Sequence, residues 1–511
     1  MSPAPSGLPF LERIEEDWLE LGLIESVPVD WVRRNGLVPL CRDGQLIIAG
    51  ADASAMQAFE DLSLLLGREA VWMTAPAEEI QRAIDRIYFR RAGVATPPVE
   101  TPGGSEGPVA VDVRSDDLLS SAADAPVAHY VNSILIEAVK RGASDIHIEP
   151  FAQSLVVRFR IDGLLYAQPS PPRHLEHALS ARLKVMARLD LAEKRLPQDG
   201  VARVRVGTRE IDVRVSSVPV AEGERIVLRL LHRESTRYSL NDLGLSDRLL
   251  ERFRAILREP HGIVLVTGPT GSGKTTTLYA ALLELDTAHL NVLTIEDPIE
   301  YQLQNIGQIQ VHPKIGLTFA RGLRHILRQD PDVVLVGETR DLETAEIMVR
   351  ASLTGHLVFT TLHTNDAVGA VTRLVDMGIP SYLLAAAVRA VLAQRLVRRL
   401  CPHCRKPAVL SGEDAALLGN SRLVGRTVWE AHVEGCRHCL GGYKGRTGIH
   451  ELLVVSPVVA EAVRADVPVM ELRHLAAAEG FREMSEDGTD KILAGLTTVA
   501  EVLRSAGAHK E

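Results

Sequence analysis

The stretch Val264-Leu265-Val266-Thr267-Gly268-Pro269-Thr270-Gly271-Ser272-Gly273-Lys274-Thr275 decides the fold. Its apolar start reads as a buried strand, its middle as a G-x-x-x-x-G-K-[ST] loop, and Thr276-Thr277-Leu278-Tyr279-Ala280 as the helix that follows. Glycines at 268, 271 and 273 let the backbone curl until successive N–H groups converge on one point. Phosphate oxygens suit that point, favoured further by the helix N-terminal dipole. Gly268 through Thr276 would form the cradle, with Lys274 reaching the β- and γ-phosphates and the Thr275 hydroxyl ligating Mg²⁺. A glycine-rich turn that binds nothing is the bland alternative, and the filled motif in its strand–loop–helix context argues against it. The stretch predicts a nucleoside triphosphatase.

Composition sets the frame around that loop. With 511 residues, the chain has room for three or four domains and sizeable cores. A hydrophobic share of 46% beside 24% charged residues is ordinary for globular protein. The net charge of −9 and an aromatic share of 4% argue against nucleic-acid binding, which wants basic grooves and stacking platforms. The most apolar run, Tyr382 to Gln394, is interrupted by Arg389, and Met1 to Glu20 is acidic without a signal-peptide core. The expectation is a cytoplasmic protein that meets a membrane only through partners.

Six segments follow from the patterning. Residues 1–90 read as a small α/β module, with Leu11, Ile14, Trp18, Leu19 and Leu21 suiting an amphipathic helix and Gln45 to Ala49 a buried strand. Residues 91–126, rich in Pro, Gly, Ser and Ala, read as a flexible linker. Residues 127–238 read as an α+β domain in which Asp145-Ile146-His147-Ile148-Glu149 alternates like a half-buried strand. Residues 239–395 hold the phosphate loop, with candidate parallel strands at 263–266, 292–295, 333–336 and 357–361 in a doubly wound core. A cysteine-bearing insert spans 396–445, and 446–511 reads as helical, with Thr498-x-x-Glu501 as a capping box.

Three motifs fall near the C-terminal ends of those strands, where an open parallel sheet binds ligands. Thr294-Ile295-Glu296-Asp297-Pro298-Ile299-Glu300 gathers three carboxylates, suited to hold Mg²⁺ through water or to orient a nucleophile. Taken alone, it reads equally well as a solvated acidic turn. Val333-Val334-Leu335-Val336-Gly337-Glu338 places Glu338 to polarise the attacking water. The acidic residue usual just before that glutamate is Gly337 here, which shifts Mg²⁺ toward Thr275 and water, aided by Glu296 or Asp297. Thr354 to Asn365 carries two histidines. His363, at the strand's C-terminal end, would sense the γ-phosphate, while His356 at the other end reads as structural.

Arg321, Arg324 and Arg328 share one helical face, and Arg214, Arg225 and Arg229 crowd the end of the preceding domain. A guanidinium delivered across a subunit boundary neutralises charge on a transferring phosphoryl group, although solvated charge is the ordinary meaning of such a face. Of five cysteines, four form Cys401-x-x-Cys404 and Cys436-x-x-Cys439. In a cytosolic chain these read as a closed, structural Zn²⁺ site. The 31 residues between Cys404 and Cys436 exceed the roughly 15–20 of a zinc ribbon.

In their order, these motifs resemble the secretion-superfamily ATPases of bacterial type II secretion and type IV pilus assembly. The boxes that carry the resemblance are Gly268–Thr275, Thr294–Glu300, Gly337-Glu338 after Leu327-Arg328-Gln329-Asp330-Pro331-Asp332, and Thr354–His363. Ala143-Ser144-Asp145-Ile146-His147-Ile148-Glu149-Pro150, Arg158 to Gly163 and Gly223-Glu224-Arg225 extend it through the preceding domain. The N-terminal module and tetracysteine insert resemble assembly ATPases of the GspE type, with the PilB type as alternative, rather than retraction ATPases. A nucleic-acid translocating ATPase is the less favoured class. The resemblance implies a RecA-like core behind a PAS-like domain, a homohexameric ring, and ATP between the two larger domains. It further implies Arg214, Arg225 and Arg229 as the supplied arginines, a GspL-like inner-membrane partner for the N-terminal module, a GspF-like platform protein, and no nucleic acid.

Overall fold

The computed structural model describes residues 9–11, 13–19, 23, 32, 35–42, 44–51, 55–66, 70–91, 116–117, 126–206, 209–232 and 238–506. The chain divides into two units, Met1–Ser235 and Thr236–Glu511. Most of the expected linker, 91–126, lies outside the described residues.

In the first unit, strands β1 (Leu37–Arg42), β2 (Gln45–Gly50) and β3 (Ala70–Thr74) form a three-stranded sheet, β1 and β2 antiparallel and β2 and β3 parallel. Leu11, Ile14 and Leu19 are buried in this module's core, as their spacing suggests. The helix expected there is not seen among the described residues. Pro9 to Leu11 instead runs extended along Thr74, and only Glu16–Trp18 makes a 3₁₀ turn. Burial decided the apolar positions, while pairing with a strand edge decided the backbone.

A second sheet follows: β4 (Asp116–Asp117), β5 (Asp145–Pro150), β6 (Leu155–Ile161), β7 (Leu164–Gln168), β8 (Gln198–Val206), β9 (Arg209–Val220) and β10 (Gly223–His232), ordered β4-β8-β9-β10-β5-β6-β7. Helices Pro126–Lys140 and Glu176–Met186 contribute Val131, Leu135, Leu179 and Leu183 to the core on its apolar face. Strand β5 departs from the half-buried expectation, because all six of its residues are buried. Its polar positions, Asp145 and Glu149, are covered by arginines from the strands on either side.

The second unit carries the phosphate loop. Strands β11 (Gly262–Thr267), β12 (Val292–Glu296), β13 (Gly307–Gln310), β14 (Val333–Val336), β15 (Leu357–Leu362), β16 (Val388–Leu400), β17 (Lys406–Val409), β18 (Thr427–Glu430) and β19 (Tyr443–Val454) follow one another in sequence. Seven of them form one sheet in the order β13-β12-β14-β15-β11-β16-β19. It is parallel throughout except for β19, which runs antiparallel to β16. Strands β11, β14 and β15 are buried at every position, as a sheet covered on both faces requires. Alternate residues of β11 enter opposite cores: Ile263 and Leu265 one, Val264 and Val266 the other. Strand β16 runs without a break across residues 395 and 396 and delivers Cys401 directly to the insert, where β17 and β18 form a separate hairpin.

Candidate functional site

The loop after β11 has the geometry its glycines permit. Gly268, Gly271 and Gly273 take φ of 145°, 79° and 88°, and Gly273 caps the helix Lys274–Leu283. Ser272 N–H donates to Pro269 O at 3.2 Å. Lys274 Nζ lies over the loop and donates to Gly268 O at 2.7 Å and Pro269 O at 3.2 Å. Pro269, Thr270 and Gly271 are exposed, while Lys274, Thr275 and Thr276 are half-buried in the first helical turn. Burial lowers the Lys274 pKa, and the charge of Glu338 opposes that fall.

Glu338 follows β14, and His363 follows β15, the strand between β14 and β11. The Glu338 side chain is 12% exposed, pairs with Arg340 at 2.6 Å and lies 3.8 Å from His363 Nε2. The pKa of His363 is lowered by burial first and by Lys274, with Glu338 opposing, so its ring is neutral near pH 7. One cation, one carboxylate and one neutral imidazole therefore meet at the C-terminal ends of three adjacent parallel strands. Gly337 has a packing reason. A Cβ there would lie 3.2 Å from Ile295 O and 3.3 Å from Glu296 Cα, so any side chain would press on the end of β12, which would have to give by a few tenths of an ångström.

The carboxylates of the acidic box separate. Glu296 is buried and accepts from Thr294 Oγ1 at 2.6 Å, Gln308 Nε2 at 3.1 Å and the Tyr279 hydroxyl. Burial, then the Glu296 charge, pushes the Tyr279 pKa far up, so this phenol stays a donor. Asp297 and Glu300 are exposed at the loop surface. His356 sits at the opposite end of β15, its Nδ1 2.8 Å from Ala351 O at the end of the helix Leu342–Leu353. Arg324 pairs with Glu343 at 2.6 Å, and Arg328 lies beyond the helix Phe319–Ile326, so the expected three-arginine face is cut short.

In the first unit, Arg225 pairs with Glu149 at 2.8 Å and Arg229 with Asp145 at 2.9 Å. Arg214 stands directly across from Arg229 in the β9–β10 register. In the second unit, the sulfurs of Cys401, Cys404, Cys436 and Cys439 all lie within 4.8 Å of one another, and the Cys401–Cys436, Cys404–Cys439 and Cys436–Cys439 pairs are 3.8, 3.5 and 3.6 Å apart. Four thiolates about 2.3 Å from a tetrahedral ion would stand about 3.8 Å apart. The donor set therefore fits zinc.

Sequence reasoning missed Gln394 and the partner of Glu296. Gln394 bonds the loop from β16, and Tyr279 ties the loop's helix to the acidic box. The signals available were a single amide in a strand of mixed apolar and arginine residues and a tyrosine on a buried helix face, and neither names its partner.

A Walker-type loop, a strand-end glutamate and a doubly wound sheet define a P-loop nucleoside triphosphatase. The comparisons narrow that class. The family model for type II/IV secretion system proteins matches residues 120–504, and the MshEN domain model matches residues 6–93. Type II secretion system protein E of Pseudomonas aeruginosa is 48% identical over 482 residues, covering 94% of this chain and 95% of that protein. Type II secretion system ATPase E of Vibrio cholerae is 52% identical over 394 residues, 76% of this chain and 77% of its own. The crystal structure of the pilus retraction motor PilT with bound ADP matches 74% of this chain and 97% of its own at 28% identity and a TM-score of 0.51. The chain belongs to the type II/IV secretion system protein family and is a secretion ATPase. Among the described residues, no helix is long and apolar enough to cross a membrane.

Proposed function

We propose that this chain is the assembly ATPase of a type II secretion system, hydrolysing ATP to power pseudopilus assembly and protein export. The observation that carries the nucleotide chemistry is the meeting of Lys274, Glu338 and His363 beside the 268–275 loop. The names of the type II relatives, which the chain matches over most of its length, favour this reading over pilus extension.

In this reading, the loop amides and Lys274 bind the β- and γ-phosphates. The Thr275 hydroxyl would hold Mg²⁺, which supplies charge neutralisation on the phosphate oxygens. Glu338 orients the attacking water and takes its proton as the new P–O bond forms, while the bond to the β–γ bridging oxygen breaks and ADP leaves. Arg340 holds the Glu338 carboxylate in place. His363 donates to a γ-phosphate oxygen and so reports whether it is present. Asp297 and Glu300 are the acidic-box residues open to solvent-bridged metal contacts. Glu296, with three partners, holds the box in shape instead.

The four cysteines would hold a structural Zn²⁺, since four thiolates leave no position for water. The ring would be a homohexamer, with Arg214, Arg225 and Arg229 supplied toward the nucleotide. Residues 1–90 would dock on a GspL-like inner-membrane protein, with a GspF-like platform protein as the second contact. The motor would then work from the cytoplasmic face, held there by partners. The test of the nucleotide reading is Lys274→Ala. Its affinity for ATP, read by calorimetry, is expected to fall at least tenfold, and unchanged affinity would overturn the loop assignment.

A further inference from the structure

Strand β16 does more than pair beside the phosphate loop. Its register with β11 sets Leu392 beside Val266 and Ala393 beside Thr267. Gln394 is therefore level with Gly268, where the loop begins. Gln394 is 2% exposed, and its side chain makes two hydrogen bonds. Nε2 donates to Ser272 O at 2.7 Å, and Oε1 accepts from Thr277 Oγ1 at 2.8 Å. Both partners are buried, Ser272 at 3% and Thr277 at 1% exposed. The glycines record the same closeness. A Cβ on Gly268 would collide with the backbone oxygen of Gln394, and one on Gly273 would lie 3.3 Å from Gln394 Nε2.

Peptide planarity gives this contact a chemical consequence. In a trans peptide, the carbonyl of one residue and the N–H of the next point in opposite directions. Holding Ser272 C=O toward β16 turns the Gly273 N–H away from it, to the outer side of the loop. Gly273 is the cap of the helix Lys274–Leu283, so this amide belongs to the helix N-terminus that faces phosphate. Thr277, one turn along that helix, donates to the amide oxygen and thereby fixes which end of the side chain faces Ser272. We propose that Gln394 is a positioning residue that aims the Gly273 amide at the nucleotide phosphates. It touches no nucleotide itself and acts through the loop backbone.

This inference rests on the nucleotide reading of the loop, and the test separates the two. Gln394→Met keeps the length of the side chain and removes both hydrogen bonds. Affinity for a fluorescent ADP analogue is then expected to fall about tenfold at a temperature where circular dichroism shows the full-length chain folded. Thr277→Val removes only the lock on the amide and should weaken binding about threefold. The double variant should bind no more weakly than Gln394→Met alone, because the two groups act as a unit. A merely structural role would lower the melting temperature and leave the affinity of the folded protein alone. A folded Gln394→Met variant with affinity within twofold of the parent overturns the proposal. Should that variant fail to fold, unchanged affinity in Thr277→Val overturns it instead. If Lys274→Ala weakens binding as expected and the Gln394 variant does not, only this inference falls. If Lys274→Ala itself binds normally, the nucleotide reading falls first.

Discussion

Glu338 shows how much one carboxylate depends on its neighbours. It is only 12% exposed and pairs with Arg340 at 2.6 Å, so its position depends on that guanidinium. Gln keeps the shape and a hydrogen bond to Arg340 but cannot take a proton. Glu338→Gln should therefore bind ATP within a few-fold of the parent while its turnover falls roughly 10²–10⁴-fold, the usual size of a general-base contribution. Calorimetry and a phosphate-release assay on the same preparation separate the two effects. Turnover within tenfold of the parent would remove Glu338 from the proton-accepting role. The sequence pattern marked this residue because an apolar strand ending in Gly337-Glu338 resembles the second motif of a nucleotide site. It did not reveal Arg340 as the partner, since that contact depends on how the chain turns after β14.

At the scale of elements, four of the six parallel strands were legible almost to the residue, while β13 with its polar Gly307–Gln310 and β16 with its four arginines were not anticipated. Expected strands at 263–266, 292–295, 333–336 and 357–361 are observed at Gly262–Thr267, Val292–Glu296, Val333–Val336 and Leu357–Leu362. Sheets covered on both faces write themselves as continuous apolar runs, so local composition suffices. Polar side chains with distant partners do not declare themselves in this way. The expected capping box is half formed: Thr498 Oγ1 accepts from Glu501 N at 3.3 Å, while the Glu501 carboxylate turns to Arg398 on β16 and to Arg504. Burial alone would raise the Glu501 pKa, but those arginines win and hold it down to about 2. Glu451 on β19 is the opposite case. It accepts from Ala367 N at 2.6 Å and Met484 N at 3.0 Å, tying two helix N-termini to the sheet edge, yet burial lifts its pKa to about 7. Between pH 4.5 and 7, the unfolded chain loses this proton while the folded one keeps it, so stability falls as pH rises and levels above 7. The span corresponds to about 3 kcal/mol. Glu451→Gln loses one of the two bonds at every pH but does not titrate. Its melting temperature relative to the parent should therefore rise between pH 5 and pH 8, and a pH-independent difference would count against the raised pKa.

At the scale of the whole molecule, the arginines of the first unit are held by buried carboxylates of their own sheet. Asp145 and Glu149, buried on β5, hold Arg229 and Arg225, and Glu149 also holds Arg158 at 2.6 Å. With Arg160 also 3.8 Å from Asp145, two carboxylates hold four guanidiniums on one sheet face, an excess of positive charge suited to anions. The sequence displayed the arginines and the acidic strand separately. Only the pairing of β5 with β6 and β10 brings them together, and such long-range register has no local signal. If these arginines serve a neighbour's nucleotide in the proposed ring, two inactive variants should rescue each other. A chain carrying Arg214→Ala, Arg225→Ala and Arg229→Ala keeps Glu338, and a Glu338→Gln chain keeps the arginines. Mixed rings would contain sites that combine an intact Glu338 with an intact arginine set from the next subunit. Mixing the two proteins is expected to restore phosphate release well above the sum of the separate preparations, increasingly so at higher protein concentration. Activity that stays at that sum, with mixed assembly verified by differently tagged chains, would mean that each chain supplies its own arginines.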